Sequence, residues 1–201
     1  MSEGKLFVIS GPSGAGKGSI LAEVLKRREN VYFSVSATTR SPRPGEQHGR
    51  EYLFVTKEDF EARIAAGRML EWTEYQGQYY GTPAAEIEEK LQKGYDVVLD
   101  IEAEGMHNVK RHRPDAVTLF VYPPSFAELT RRLYARGTES EEKVLGRLKK
   151  GRQECAHADD YDYIIINDSL ETAVQEVMSI LTAEHCRAAE RLHIIKEDDT
   201  L

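Results

Sequence analysis

Short apolar runs alternate with stretches of helical period along the whole chain. Residues 6–9, 97–101, 117–122 and 163–166 are almost continuously apolar and only four to six residues long, the pattern of strands buried on both faces. Between them, apolar residues recur at helical spacing. The first set is Ile20, Leu21, Val24 and Leu25; the longest is Leu170, Ala173, Val174, Val177, Ile180 and Leu181. Such alternation predicts an α/β fold, a mostly parallel sheet with helices on both faces.

Residues 34–84 break this rhythm. Pro42, Pro44 and Gly45 mark a loop, and residues 52–55 are strand-like. Thr56 is set to cap a helix whose apolar face is Phe60, Ile64 and Ala65. Residues 69–75 and 78–80 predict a hairpin turning at Gln76-Gly77, and Thr82-Pro83 predicts a helix start with Thr82 as cap. This stretch is expected to be a small, mostly β insertion. Residues 126–156 predict a second insertion of two helices, the first capped by Ser125 and the second by Thr138 or Ser140. Its apolar face is poor, as in a mobile lid, and Glu139, Glu141 and Glu142 are expected to neutralise its arginines. The tail from Lys196 to Leu201 is acidic and expected to fray.

The first strand and first helix enclose Gly11-Pro12-Ser13-Gly14-Ala15-Gly16-Lys17-Gly18-Ser19. A glycine-rich turn between a strand and a helix lets backbone N–H groups close around an anion. The helix N-terminus adds free donors and partial positive charge, and Lys17 adds a full charge for terminal phosphates. The residue after the lysine is Gly18, where the P-loop pattern has Ser or Thr; the nearest hydroxyl is on Ser19. Magnesium is therefore expected to be held mainly by nucleotide phosphates and water.

Composition narrows the partners. The 201 residues carry a formal charge of −7, which disfavours a nucleic acid polymer. Arginines nevertheless cluster at Arg40, Arg43 and Arg50 and again from Arg131 to Arg152, a distribution suited to small anions. Cys155 and Cys186 lie far apart without metal-type spacing. Reduced thiols and the lack of a long apolar run predict a cytoplasmic protein without a membrane segment. The oligomeric state, a homo-oligomer included, is left open.

A P-loop core with two arginine-bearing insertions resembles the guanylate kinase family. The motifs that carry the resemblance are residues 11–17, 34–46, 49–55, Glu71-Trp72, 79–83, Asp100-Ile101-Glu102, 136–142 and 161–168, nearly the whole chain. The resemblance implies the P-loop nucleoside monophosphate kinase fold and transfer of the γ-phosphoryl group of ATP to GMP, with magnesium. It divides the chain into a core (1–33, 85–125 and 157–201), a GMP-binding insertion (34–84) and a lid (126–156). Arg40, Arg43, Tyr52 and Tyr80 are then expected to hold the GMP phosphate. Glu71 is expected to accept from the guanine N1–H and 2-amino group, and Ser36 and Thr82 to donate to its oxygen edge. Asp100 and Glu102 are expected near the base and the magnesium shell. Lys17, Arg132, Arg136 and Arg147 are expected around the transferring phosphoryl. One position departs from the family: Glu104 stands where glutamine is usual, adding negative charge beside the site. Two other readings stay open, a kinase for another base and a catalytically silent relative that binds phosphorylated protein segments.

Overall fold

The computed structural model describes residues 3–135, 137 and 140–198. Nine strands and eight helices are named within them. In chain order they are β1 (Leu6–Ser10), α1 (Lys17–Arg27), β2 (Val31–Phe33), β3 (Ala37–Thr38), β4 (Leu53–Phe54) and α2 (Lys57–Ala65). Then come β5 (Met69–Tyr75), β6 (Gln78–Pro83), α3 (Ala84–Gln92), β7 (Asp96–Asp100) and α4 (Ala103–His112). The last are β8 (Val117–Tyr122), α5 (Phe126–Ala135), α6 (Glu141–Cys155), β9 (Tyr163–Ile166), α7 (Leu170–Glu184) and α8 (Ala188–Asp198).

Five strands form one sheet in the order β2-β7-β1-β8-β9, with every pairing parallel. Period-two alternation divides its side chains between two cores. Phe7 and Ile9 pack with Ile20, Val24, Val174 and Val177 of α1 and α7. Leu6 and Val8 pack with Ile87 and Leu91 of α3 and with Met106 and Val109 of α4. Both faces of β1, β7 and β8 are thus covered, which is why their runs are apolar; β9, at the sheet edge, leaves Ile164 and Ile166 exposed, so the 163–166 run is buried on one face and not on both. The strand order reverses direction at β1, so a crevice opens beyond its C-terminal end, where α/β proteins place ligands. Among the described residues no helix is long and apolar enough to cross a membrane.

The second sheet, β4-β3-β6-β5, lies wholly within residues 34–84. Its β5–β6 hairpin turns at Gln76 (φ 51°) and Gly77 (φ 73°), the doubly positive turn that matches strand twist. Thr56 caps α2 by accepting from the Asp59 amide at 3.1 Å, as expected.

The helix after the hairpin begins differently from the sequence expectation. β6 continues through Pro83, which stays extended (φ −64°, ψ 129°) and is itself the cap residue of α3. A residue before proline is steered to extended backbone, so Thr82 remains in the strand and its hydroxyl turns to Glu71. Residues 126–156 have a small core of their own, Leu129, Leu133 and Val144, backed by Phe126 and Leu148. Ser125 caps α5 through the Glu128 amide. Ser140 occupies the cap position of α6 without a side-chain bond, and Thr138 and Glu139 lie outside the described residues. The carboxylate that bonds the α5 arginines is Glu128, at 2.7 Å from both Arg131 and Arg132, because i,i+3 and i,i+4 neighbours share a helix face. The chain also continues into α8, so its backbone is helical to Asp198; residues 199–201 of the acidic tail lie outside the description.

Candidate active site

The loop between β1 and α1 is built by glycines that no other residue replaces. Gly16 is the cap residue of α1 with φ 98°, and a Cβ there would stand 2.2 Å from Asn167 Nδ2. Gly11 has φ 137°, and its Cβ would meet the Val121 carbonyl at 2.1 Å. Asn167, at the end of β9, donates to the Ala15 carbonyl at 2.7 Å and so fastens the loop from below. Lys17 and Gly18 open α1, and their amides have no carbonyl one turn back. The first turn of α1 carries no acidic residue, so nothing on the helix competes with an incoming anion.

Ser13, Gly14, Gly16, Lys17, Ser19 and Asp100 line a cavity of about 390 Å³. Lys17 Nζ donates to the Gly11 carbonyl at 2.5 Å and stands 3.8 Å from Asp100, whose strand β7 is paired beside β1. The enclosing wall strips water from Asp100 and raises its carboxyl above the ordinary value, opposed by the attraction of Lys17. Gly18 has open space about it. Asp100 and the Ser19 hydroxyl give this cavity an all-oxygen set of side-chain ligands, with Glu102 two residues beyond Asp100. Hard oxygen donors with room for water fit magnesium.

Two helices bring arginine to the same loop. Arg132 donates to the carbonyls of Asn167, at 2.9 Å, and Ala15, at 3.5 Å. Arg147 donates to the Ser13 hydroxyl. A Cβ on Gly151 would lie 3.2 Å from Pro12, which measures how closely α6 approaches the loop. Lys150 on the same helix bonds Glu102 and sits 4.7 Å above the Tyr75 ring, linking α6 to the β5–β6 hairpin. Arg136, the third arginine expected here, lies outside the described residues.

A second concentration of chemistry lies on the smaller sheet. Arg40 follows β3, and its guanidinium is 5.3 Å from the Tyr52 ring, which meets the Tyr80 ring edge-on at 6.1 Å. Burial pushes the Tyr52 phenol up, so it remains a neutral donor. Glu46 bonds Arg40 through both oxygens and accepts from the Arg43 amide at 2.7 Å. Among the described residues the Arg43 guanidinium makes no hydrogen bond or close ion pair, and its charge is felt by Glu46. Ser36 immediately precedes β3, and its carbonyl accepts from Leu53.

Glu71 is a buried carboxylate with no cation beside it among the described residues. It is 5% exposed and accepts from the Thr82 hydroxyl at 2.6 Å across the β5–β6 pair. Burial pushes its carboxyl up to about 7; the Thr82 bond opposes this and Glu104, in the first turn of α4, adds to it. The charge of Glu104 thus acts on Glu71. Gly105 lets α4 approach, since a Cβ there would lie 3.1 Å from Glu71 Oε2.

The structure therefore brings Lys17, Asp100, Arg132 and Arg147 together at the loop, and Arg40, Tyr52 and Tyr80 together on the smaller sheet, with Glu71 and Thr82 paired on its β5–β6 hairpin. Three residues given no role by the sequence reading take part. Glu46 and Asn167 sit inside quoted motifs, so their neighbourhood was the available signal. Glu154, raised chiefly by burial and next by the Glu102 charge, gave none.

The comparisons agree with this geometry. A guanylate kinase family model matches residues 3–184. A guanylate kinase of Desulfitobacterium hafniense is 45% identical over 97% of this chain and 98% of its own. One of Thermotoga maritima is 48% identical over 92% of this chain and 89% of its own. The crystal structure of guanylate kinase from Anaplasma phagocytophilum superposes with a TM-score of 0.77 at 32% identity, covering 94% of this chain and 90% of that one. A parallel-sheet core, a glycine loop closed by arginines and a buried glutamate on an inserted sheet thus coincide with similarity along nearly the whole chain, and the chain belongs to the guanylate kinase family of nucleoside monophosphate kinases.

Proposed function

We propose that the chain transfers the γ-phosphoryl group of ATP to GMP, giving ADP and GDP. The observation that carries the choice of GMP is the buried Glu71–Thr82 pair. Guanine offers two adjacent donors, N1–H and the 2-amino group, which one carboxylate accepts together. Adenine lacks that pair, so a buried carboxylate facing it stays unsatisfied. Thr82 holds one oxygen of Glu71 and fixes the plane of the other. Ser36 lies beside the same strand and is assigned to the guanine oxygen edge.

Arg40, Arg43, Tyr52 and Tyr80 would hold the GMP phosphate, two charges and two neutral donors for a dianion. The glycine loop from Gly11 to Ser19 would cradle the ATP phosphates. Magnesium, when bound with ATP, supplies charge for the phosphate oxygens; Asp100 and Ser19 are the residues assigned to its water shell, and Glu102 to its margin. In the reaction an oxygen of the GMP phosphate bonds to the γ-phosphorus as the bond to the ADP oxygen breaks. Lys17, Arg132, Arg136 and Arg147 hold the equatorial oxygens and take up the charge that develops. Residues 34–84 and 126–156 act as the two closing parts over the core, and closure keeps water from competing as acceptor. We place the reaction in the cytoplasm, in keeping with the two free cysteines.

An ADP-release assay with ATP and magnesium, offering GMP, AMP, CMP and UMP separately, tests this. Turnover with GMP alone is expected. Turnover with another base would overturn the base reading. Binding of GMP without turnover would make the chain a phosphoprotein-binding relative.

A further inference from the structure

Away from the nucleotide site, two imidazoles and a carboxylate meet where α6 rejoins the core. His107 is midway along α4, while His157 caps and Asp160 ends the 3-10 turn that follows α6. His107 Nε2 is 2.9 Å from Asp160 Oδ2, and His157 Nδ1 is 3.4 Å from the same oxygen. The two rings stand edge to face at 5.6 Å, and one ligand atom from each residue lies within 4.8 Å of the others. We propose that this triad is a site for a divalent transition metal ion, zinc by preference, joining α4 to the end of the helix that carries Arg147.

The donor chemistry selects the class of ion. Two imidazole nitrogens with one carboxylate suit zinc and its neighbours, whereas magnesium and calcium take oxygen. Tetrahedral zinc with bonds of about 2.0–2.1 Å separates its ligand atoms by roughly 3.3 Å. The two edges that meet at Asp160 are already close to that length. The third closes by rotating rings that have space to move, since the His107, His157 and Asp160 side chains are 41%, 51% and 44% exposed. The same exposure admits a water to the fourth vertex. His157 and Asp160 are three apart on a 3-10 turn, where i and i+3 eclipse, so one short turn presents both. Asp160 is not engaged by a lysine or arginine among the described residues. Lys110, three residues beyond His107 on α4, is taken by Asp162 at 2.9 Å. The triad lies outside the phosphoryl-transfer machinery, which uses none of its members.

The test is a calorimetric titration of the whole chain with Zn²⁺ in buffer free of nucleotide and magnesium. Visible absorption of added Co²⁺ gives a second reading, and His107→Ala and His157→Ala are the comparison variants. His107→Gln replaces the alanine variant should that fold poorly. One equivalent of Zn²⁺ is expected to bind, with an intense tetrahedral cobalt spectrum. Since loss of even an outer partner of a metal ligand costs about 10–100-fold, each variant should weaken binding by about tenfold or more. Zinc should also raise the unfolding temperature of the parent chain more than that of either variant. Absence of a saturable single equivalent overturns the proposal. Equal affinity in the parent and both variants also overturns it, because the metal would then sit elsewhere.

Discussion

Arg40 and Glu46 hold each other in a two-pronged fork, Nη1 and Nη2 standing 2.9 and 3.0 Å from the carboxylate oxygens. The same carboxylate accepts from the Arg43 amide, so one side chain ties together the loop that carries both arginines proposed to hold the GMP phosphate. Glu46 is thus a positioning residue. Glu46→Ala should raise the KM for GMP by about tenfold with a smaller change in kcat, the cost of ordering two guanidiniums only when substrate arrives. Steady-state kinetics at saturating ATP measure this, and an unchanged KM would refute it.

Glu71 should make GMP binding sensitive to pH. Its carboxyl is pushed up to about 7 before substrate arrives, and only the ionised form accepts two donors. Below pH 7 the competent fraction falls about tenfold per pH unit, so KM for GMP should rise as pH drops from 8 to 6. The second ionisation of a phosphate monoester lies near 6 and adds a later step. Glu104 raises the Glu71 carboxyl, so Glu104→Gln should move the first step to lower pH. Coincident KM profiles for parent and variant would show that Glu104 has no part in it.

The same shift opposes folding. The folded carboxyl keeps its proton up to about pH 7 while the unfolded one loses it near the ordinary 4.5. Between these values the folded state binds the extra proton, so stability falls as pH rises and stays low above pH 7. Glu71→Gln removes the penalty and keeps an oxygen for Thr82. It should stabilise the chain by up to about 3 kcal/mol at pH 8 and by little at pH 4. Denaturant unfolding at the two pH values checks this; equal gains at both would contradict it.

Arg147 reaches the P-loop from α6 through Ser13. Its predicted part is in the transition state, where charge is spread over the transferring oxygens. Arg147→Ala should lower kcat on the order of a thousandfold while KM for either nucleotide changes a few-fold. A rise in KM with kcat preserved would make it a substrate-holding residue instead.

The core was legible because its signals are local. Four short apolar runs became strands of the main sheet, three of them central and one at its edge, and the glycine loop lay in its strand-to-helix frame. Thr56 and Ser125 capped the helices they precede. Where two local rules competed, the sequence misled. Thr82-Pro83 reads as a helix cap, yet the strand pairing of Thr82 with Glu71 holds the threonine extended and gives its hydroxyl a buried partner. Glu104 was visible only as an added charge, because its proximity to Glu71 depends on α4 packing against β5. The His107, His157 and Asp160 grouping was invisible for the same reason: His107 is 53 residues from Asp160. Glu128, given no part by the sequence reading, bonds Arg131 and Arg132 because neighbours one helical turn apart meet at low entropic cost.

The central claim is that Glu71 selects guanine, and the most direct measurement is kcat/KM for GMP and AMP in parent and Glu71→Gln at pH 8. Glutamine sets an amide donor against a guanine donor. The account predicts a loss for GMP of about a hundredfold or more, with AMP little changed, so that the preference collapses. A Glu71→Gln chain that kept the parent's GMP-to-AMP ratio would contradict it.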